Sequence, residues 1–154
     1  MIAEIGLFAL ILALLLAIAQ GTLPLIGAAR GDAALMAVGR SAAYGQLVFL
    51  GIAYAMLTFA FVTDDFSIAY VANHSNSLLP TQYKISGVWG GHEGSLLLWV
   101  LILGFWSAAV ATFSRSLPRE VLARVLGVMG LIAVGFIGFT VFTSSPFERL
   151  LPAA

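Results

Sequence analysis

Cysteine is absent from the 154 residues. That excludes disulfide frameworks, thiolate metal sites, cysteine nucleophiles and iron–sulfur clusters together, and with them any thiol redox chemistry by the chain itself. Charge is nearly as scarce: Asp, Glu, Lys and Arg make up 9% of the residues, against about a quarter in an ordinary soluble domain. The seven basic and seven acidic residues cancel and are spread thinly, which excludes a disordered tail and a nucleic-acid-binding surface. No Asp or Glu lies clearly inside a long apolar run, so the sequence gives no basis for an intramembrane proton relay. What is abundant is apolar: 61% of the residues are hydrophobic and the mean hydropathy is +1.05. This is the composition of an integral membrane protein, long enough for about four spans of roughly 20 residues.

Four apolar stretches stand between short polar breaks, at about 5–29, 42–62, 95–113 and 121–143. At about 1.5 Å per residue each can cross a hydrocarbon core of roughly 30 Å, the first with some tilt. Runs such as Leu96-Leu97-Leu98 lack the alternation of a barrel strand, so the expected fold is all-α with four transmembrane helices. Pro24 is expected to kink the first helix or mark its frayed end. The breaks after the first and third stretches carry Arg30, Arg40, Arg115, Arg119 and Arg124, and the other side carries only Lys84 and Arg149. This asymmetry places the arginine-bearing loops in the cytoplasm, and both termini and the 63–94 loop outside. Ala17-Ile18-Ala19 resembles a signal-peptide cleavage site. The amino terminus lacks a basic residue and the sequence stays apolar beyond Gln20, so this stretch is expected to persist as the first span of a single tetraspan unit, residues 1–154.

The 63–94 loop has no obvious secondary structure and holds both histidines, His74 and His92. Tyr70, Tyr83 and Trp89 suit interface anchors, or a platform for a flat apolar ligand. Gly90, Gly91 and Gly94 allow close backbone approach in Trp89-Gly90-Gly91-His92-Glu93-Gly94-Ser95. Glu93 meets the positive end of the third helix, an interaction of about 0.3–1 kcal/mol, and Glu93 or Ser95 can satisfy free amides there. His92 has two readings, an imidazole ligand for haem iron or a structural residue at the helix start; His74 reads as an exposed turn residue. Trp99 and Trp106 share a face of the third helix. In the fourth, Gly127 with Gly135 and Gly130 with Gly138 form two small-residue ridges where a helix can pack closely, and Gly51-x-x-x-Ala55 is a weaker ridge of the same kind. Arg124 can snorkel to water.

One string is far more specific than composition: Ser75-Asn76-Ser77, Leu79-Pro80, Tyr83-Lys84, then Trp89-Gly90-x-His92-Glu93-Gly94-Ser95-Leu96-Leu97-Leu98-Trp99. It closely resembles the amino-terminal part of the cytochrome c haem lyase family of CcmF, NrfE and CycK. The likeness continues through Ala28-Ala29-Arg30-Gly31-Asp32, Asp65-Phe66, Ala123-Arg124-Val125-Leu126, Phe142-Thr143-Ser144 and Pro146-Phe147. The resemblance implies cytochrome c maturation in a bacterial inner membrane, with an active face in the periplasm. It implies haem b in the complete protein, received from the chaperone CcmE. CcmH and CcmI are the implied partners in joining haem to apocytochrome c. Trp89, Gly90, His92, Glu93, Gly94, Ser95 and Trp99 match the family motif. Family members are several times longer, and their tryptophan-rich haem segment and principal haem-ligand histidines lie downstream of the matched part. No ligand role therefore carries over to His74 or His92 by resemblance, and Trp89-Gly90-Gly91 is not that haem segment. The chain reads as a truncated product, a fragment or one piece of a split protein, with lyase activity expected only of the whole. Rival readings are a non-catalytic membrane scaffold and a haem transporter subunit.

Overall fold

Alanine and glycine decide how the helices meet. The computed structural model describes residues 2–114, 116–143 and 145–148; Arg115, Arg149 and Ser144 lie outside these. Four long helices, α1 (Ile2–Arg30), α2 (Ala33–Val62), α5 (His92–Phe113) and α6 (Arg119–Phe142), are joined by a loop holding two short ones, α3 (Ala69–His74) and α4 (Thr81–Gly87). No strand occurs among the described residues. The long helices pack as a ring, α1 on α2, α2 on α5, α5 on α6 and α6 on α1, with α2 also touching α6 across it.

The inward row of α1 is mostly small: Ala3, Gly6, Ala9, Ala13, Ala17, Gly21 and Gly27 are buried on it. Large apolar side chains point out instead, with Phe8, Trp99, Trp106, Phe113 and Phe142 each more than half exposed. In water this arrangement would cost solvation over the whole circumference. In lipid the outer residues are already solvated and the small ones allow backbones to approach. All four long helices are long and apolar enough to cross a membrane, as expected of a multi-pass protein.

The helix ends depart from the apolar stretches in one informative place. α2 begins at Ala33, well before residue 42, because the Asp32 carboxylate accepts from the Ala34 and Leu35 amides and caps it. The first two turns of α2 thus form from a cap rather than from hydropathy. Pro24 does not end α1, which runs on to Arg30. It packs inward beside Gly39 of α2, where an added Cβ would lie 3.0 Å from the Pro24 ring.

Of the two glycine ridges on α6, half is used within the chain. A methyl group at Gly130 would come within 2.5 Å of the Gly21 nitrogen, and one at Gly127 within 2.5 Å of Leu25. These two glycines seat α6 on α1. Gly135 and Gly138, like Gly51, have nothing within 4 Å of an added Cβ, so those positions face away from the bundle.

Polar side chains also enter the interior. Gln20 donates to the Leu126 carbonyl at 2.8 Å and accepts from the Gln46 amide at 2.9 Å. Both glutamines are fully buried and tie α1, α2 and α6 together at one level. Neither stood out in the sequence, because an isolated Gln in an apolar run carries no charge and barely changes the hydropathy.

Candidate functional site

The end of the bundle bearing the 63–94 loop holds the residues singled out by motif. α2 stops at Thr63, and Asp64 turns the chain with a φ of 56°, a conformation an Asp adopts more readily than most residues. The Asp64 carboxylate receives Lys84 Nζ at 2.8 and 2.9 Å. Lys84 is the inward residue of α4 and is nearly fully buried, so this ion pair fastens α4 to the end of α2. Asn76 Oδ1 accepts from the Leu78 amide at 2.9 Å, a side-chain-closed turn that accounts for an Asn between α3 and α4. The loop is therefore ordered through local polar contacts rather than left without structure.

Tyr70 organises the rest. Its hydroxyl donates to the Val88 carbonyl at 2.7 Å and accepts from the Gly91 amide at 2.9 Å. It is buried against Phe61, ring centroids 5.5 Å apart, and is not an exposed interface anchor. Burial pushes its pKa above 10.0; hydrogen bonds from the Gly91 and Gly94 backbone pull it back, and the nearby Glu93 charge adds to the rise. Tyr83 and Trp89, by contrast, are exposed.

Glycine is required where the chain folds onto this hydroxyl. An added Cβ at Gly94 would lie 1.6 Å from the Val88 carbonyl oxygen and 2.4 Å from the Tyr70 hydroxyl. One at Gly91 would lie 2.6 Å from His74 Nε2. At Gly90 the nearest atom is 3.5 Å away, an ordinary contact. The expected capping of the third long helix by Glu93 or Ser95 is not what forms. Gly91 is the N-cap and makes no side-chain cap bond, while the Ser95 hydroxyl donates back to the Trp89 carbonyl. Tyr70, from a different helix, meets the helix start instead.

The two histidines occupy different places. His74 ends α3; its Nδ1–H donates to the Tyr70 carbonyl at 3.0 Å, its ring lies 4.4 Å from that of Tyr70, and its Nε2–Cδ2 edge rests against Gly91. His92 opens α5, exposed, with its ring edge-on to Phe139 at 6.3 Å. Beside His74 a polar cleft of about 110 Å³ also has Glu93 and Glu148 on its walls, small against the roughly 300–1,000 Å³ of cofactor sites. No group of three His, Asp or Glu among the described residues is placed to hold a metal ion. The cleft beside His74 is too small to enclose a haem. The exposed motif residues Trp89, His92 and Trp99 instead present a surface.

The carboxyl-terminal stretch closes this end. The Ala69 amide donates to the Glu148 carbonyl at 2.8 Å, and Phe147 is buried with its ring against Gly6, where a Cβ would come within 2.3 Å. The start of α1, the loop and residues 145–148 therefore gather at one end of the bundle.

No family model matches the chain. It is 61% identical over 152 residues to the cytochrome c-type biogenesis protein CcmF of Pseudomonas aeruginosa, covering 99% of this chain and 23% of that protein. It is 52% identical over 153 residues to CycK of Rhizobium meliloti (99% and 23%) and 39% identical over 153 residues to NrfE of Haemophilus influenzae (99% and 24%). The chain thus spans about a quarter of the length of these relatives. A solved cytochrome c haem lyase CcmF superposes with a TM-score of 0.92 at 27% identity, over 99% of this chain and 26% of that one.

Proposed function

We propose, from its likeness to CcmF, CycK and NrfE over nearly its whole length, that this chain forms the amino-terminal membrane segment of a cytochrome c haem lyase. The observation that carries this is the superposition on a solved haem lyase across 99% of the chain. In this reading the protein sits in a bacterial inner membrane, with both termini and the 63–94 loop on the periplasmic side. The arginine asymmetry supports that orientation, and the start of α1 and residues 145–148 lie beside the loop, as an even number of spans requires.

The complete protein would take haem b from the chaperone CcmE and, with CcmH and CcmI, join it to apocytochrome c. Haem supplies vinyl groups for attachment to cysteine thiols in that chemistry. The contribution of this segment is support. Tyr70, Gly91 and Gly94 hold residues 88–94 in one shape, so that Trp89 and His92 face outward against the haem-bearing part or a partner. Gly135 and Gly138, open on α6, provide a close-approach surface for helices of the remaining protein.

The test is made in the complete protein, with cytochrome c measured by haem staining in a strain lacking its own copy. His92→Ala is expected to lower maturation with the membrane level of the protein unchanged. Full maturation would leave His92 as a helix-start residue and no more. Gly94→Ala is expected to abolish most maturation while Gly90→Ala is tolerated; equal effects would remove the proposed support role of the Tyr70 contact.

A further inference from the structure

At the opposite end of the bundle, α2 and α6 enclose a cavity of about 340 Å³, roughly ten times the volume share of a water molecule. Its walls are apolar, with Met36, Leu122 and Leu126 among them, and two arginines, Arg40 and Arg119, reach it. Neither forms an ion pair among the described residues. Arg40 Nε is buried without a hydrogen-bond partner. A guanidinium N–H shielded from water and left without an acceptor is costly, and the cost is removed by an anion entering the cavity.

The depth of the pair identifies the anion. Arg40 and Arg119 each stand just before an apolar stretch, those beginning near residues 42 and 121. Both therefore lie at the boundary between hydrocarbon and headgroups. Ala33 and Ala37 on the rim are exposed, so the cavity opens at that level, while Leu122 and Leu126 continue it toward the hydrocarbon. A group bearing a phosphate at one end and an acyl chain at the other matches both halves. Paired guanidinium groups suit phosphate oxygens through charge-assisted, bidentate hydrogen bonds, and basic pockets between membrane helices are where anionic headgroups collect.

We propose that the α2–α6 cavity is a binding site for one anionic phospholipid, its phosphate held between Arg40 and Arg119 and an acyl chain along Leu122 and Leu126. The site rests on the bundle spanning a bilayer and does not depend on the haem lyase reading. On the expected topology the lipid belongs to the cytoplasmic leaflet.

Native mass spectrometry of the full chain, released from mild detergent with added phosphatidylglycerol or phosphatidylcholine, reads the site directly. Phosphatidylglycerol should be retained about tenfold or more over phosphatidylcholine, since both carry the phosphate but choline sets a cation beside the two guanidinium groups. Arg40→Gln and, independently, Arg119→Gln should reduce retention to the phosphatidylcholine level. Arg124→Gln, exposed on α6 and outside the cavity, should leave it unchanged. Inorganic phosphate in excess should not displace the lipid. Equal retention of the two lipids overturns the proposal, as does loss on Arg124→Gln, which would make charge rather than the cavity the cause. Displacement by inorganic phosphate would identify a soluble anion instead, and a photo-crosslinker at Leu122 that captures polypeptide rather than lipid would identify a protein occupant; either result overturns the lipid site.

Discussion

Replacing Tyr70 with Phe leaves the Val88 carbonyl without its donor and the Gly91 amide without its acceptor. The ring keeps its place against Phe61, so the loss is polar and local, about 1–3 kcal/mol. Amide exchange across residues 88–94 should rise in Tyr70→Phe while the interiors of α1 and α6 stay protected; uniform deprotection would contradict the local role. The same hydroxyl predicts a pH dependence. Its folded-state pKa is raised above 10.0, chiefly by burial, so the neutral, hydrogen-bonded form is the one the fold favours. Its stabilising contribution is complete below about pH 10 and is lost as pH rises through the raised value. Ultraviolet titration of tyrosinate should show a late fraction that Tyr70→Phe reduces. At the ion pair, Asp64→Asn leaves the nearly buried Lys84 facing a neutral amide, and protease nicking of α4 should accelerate before the bundle itself loosens.

Among the helices, glycine positions along α6 have opposite expectations. Gly130→Leu drives a side chain into the Gly21 backbone and should separate α1 from α6, lowering the melting temperature of the isolated chain. Gly135→Leu meets open space and should leave that temperature within error. Its effect is expected only in the complete protein, as weaker assembly seen by co-purification, and unchanged assembly would mean that this face meets lipid. The glutamine pair is the other inter-helix device. Gln20→Leu removes a bond to Leu126 and strands Gln46, at a cost of about 0.6–1.7 kcal/mol in a membrane interior. The double change Gln20→Leu with Gln46→Leu should recover part of that, because no buried amide is then left without a partner.

For the whole molecule, the absence of cysteine makes topology directly measurable: a single Cys placed at position 92 should label from the periplasm, and labelling only from the cytoplasm would reverse the proposed orientation. Class and span number were readable in the amino-acid order because lipid solvation acts on every residue of a helix and sums over some twenty of them, so Ile2–Arg30 and Arg119–Phe142 declare themselves by composition. The motif from Ser75 to Trp99 likewise pointed to the family, since its residue types and spacing are rarely met together. What folding alone decided was which small residues meet which backbone. Gly127 and Gly130 are buried on α1 while Gly135 and Gly138 face outward, although all four fit the same spacing. Helical periodicity fixes a residue's angle, but the crossing of two helices fixes the level at which they touch. The sequence suggests an interface anchor or ligand platform at Tyr70 and hides its buried role for a related reason: its partners at Val88 and Gly91 lie on another part of the loop, and only the tertiary fold brings a hydroxyl from α3 to the first turn of α5.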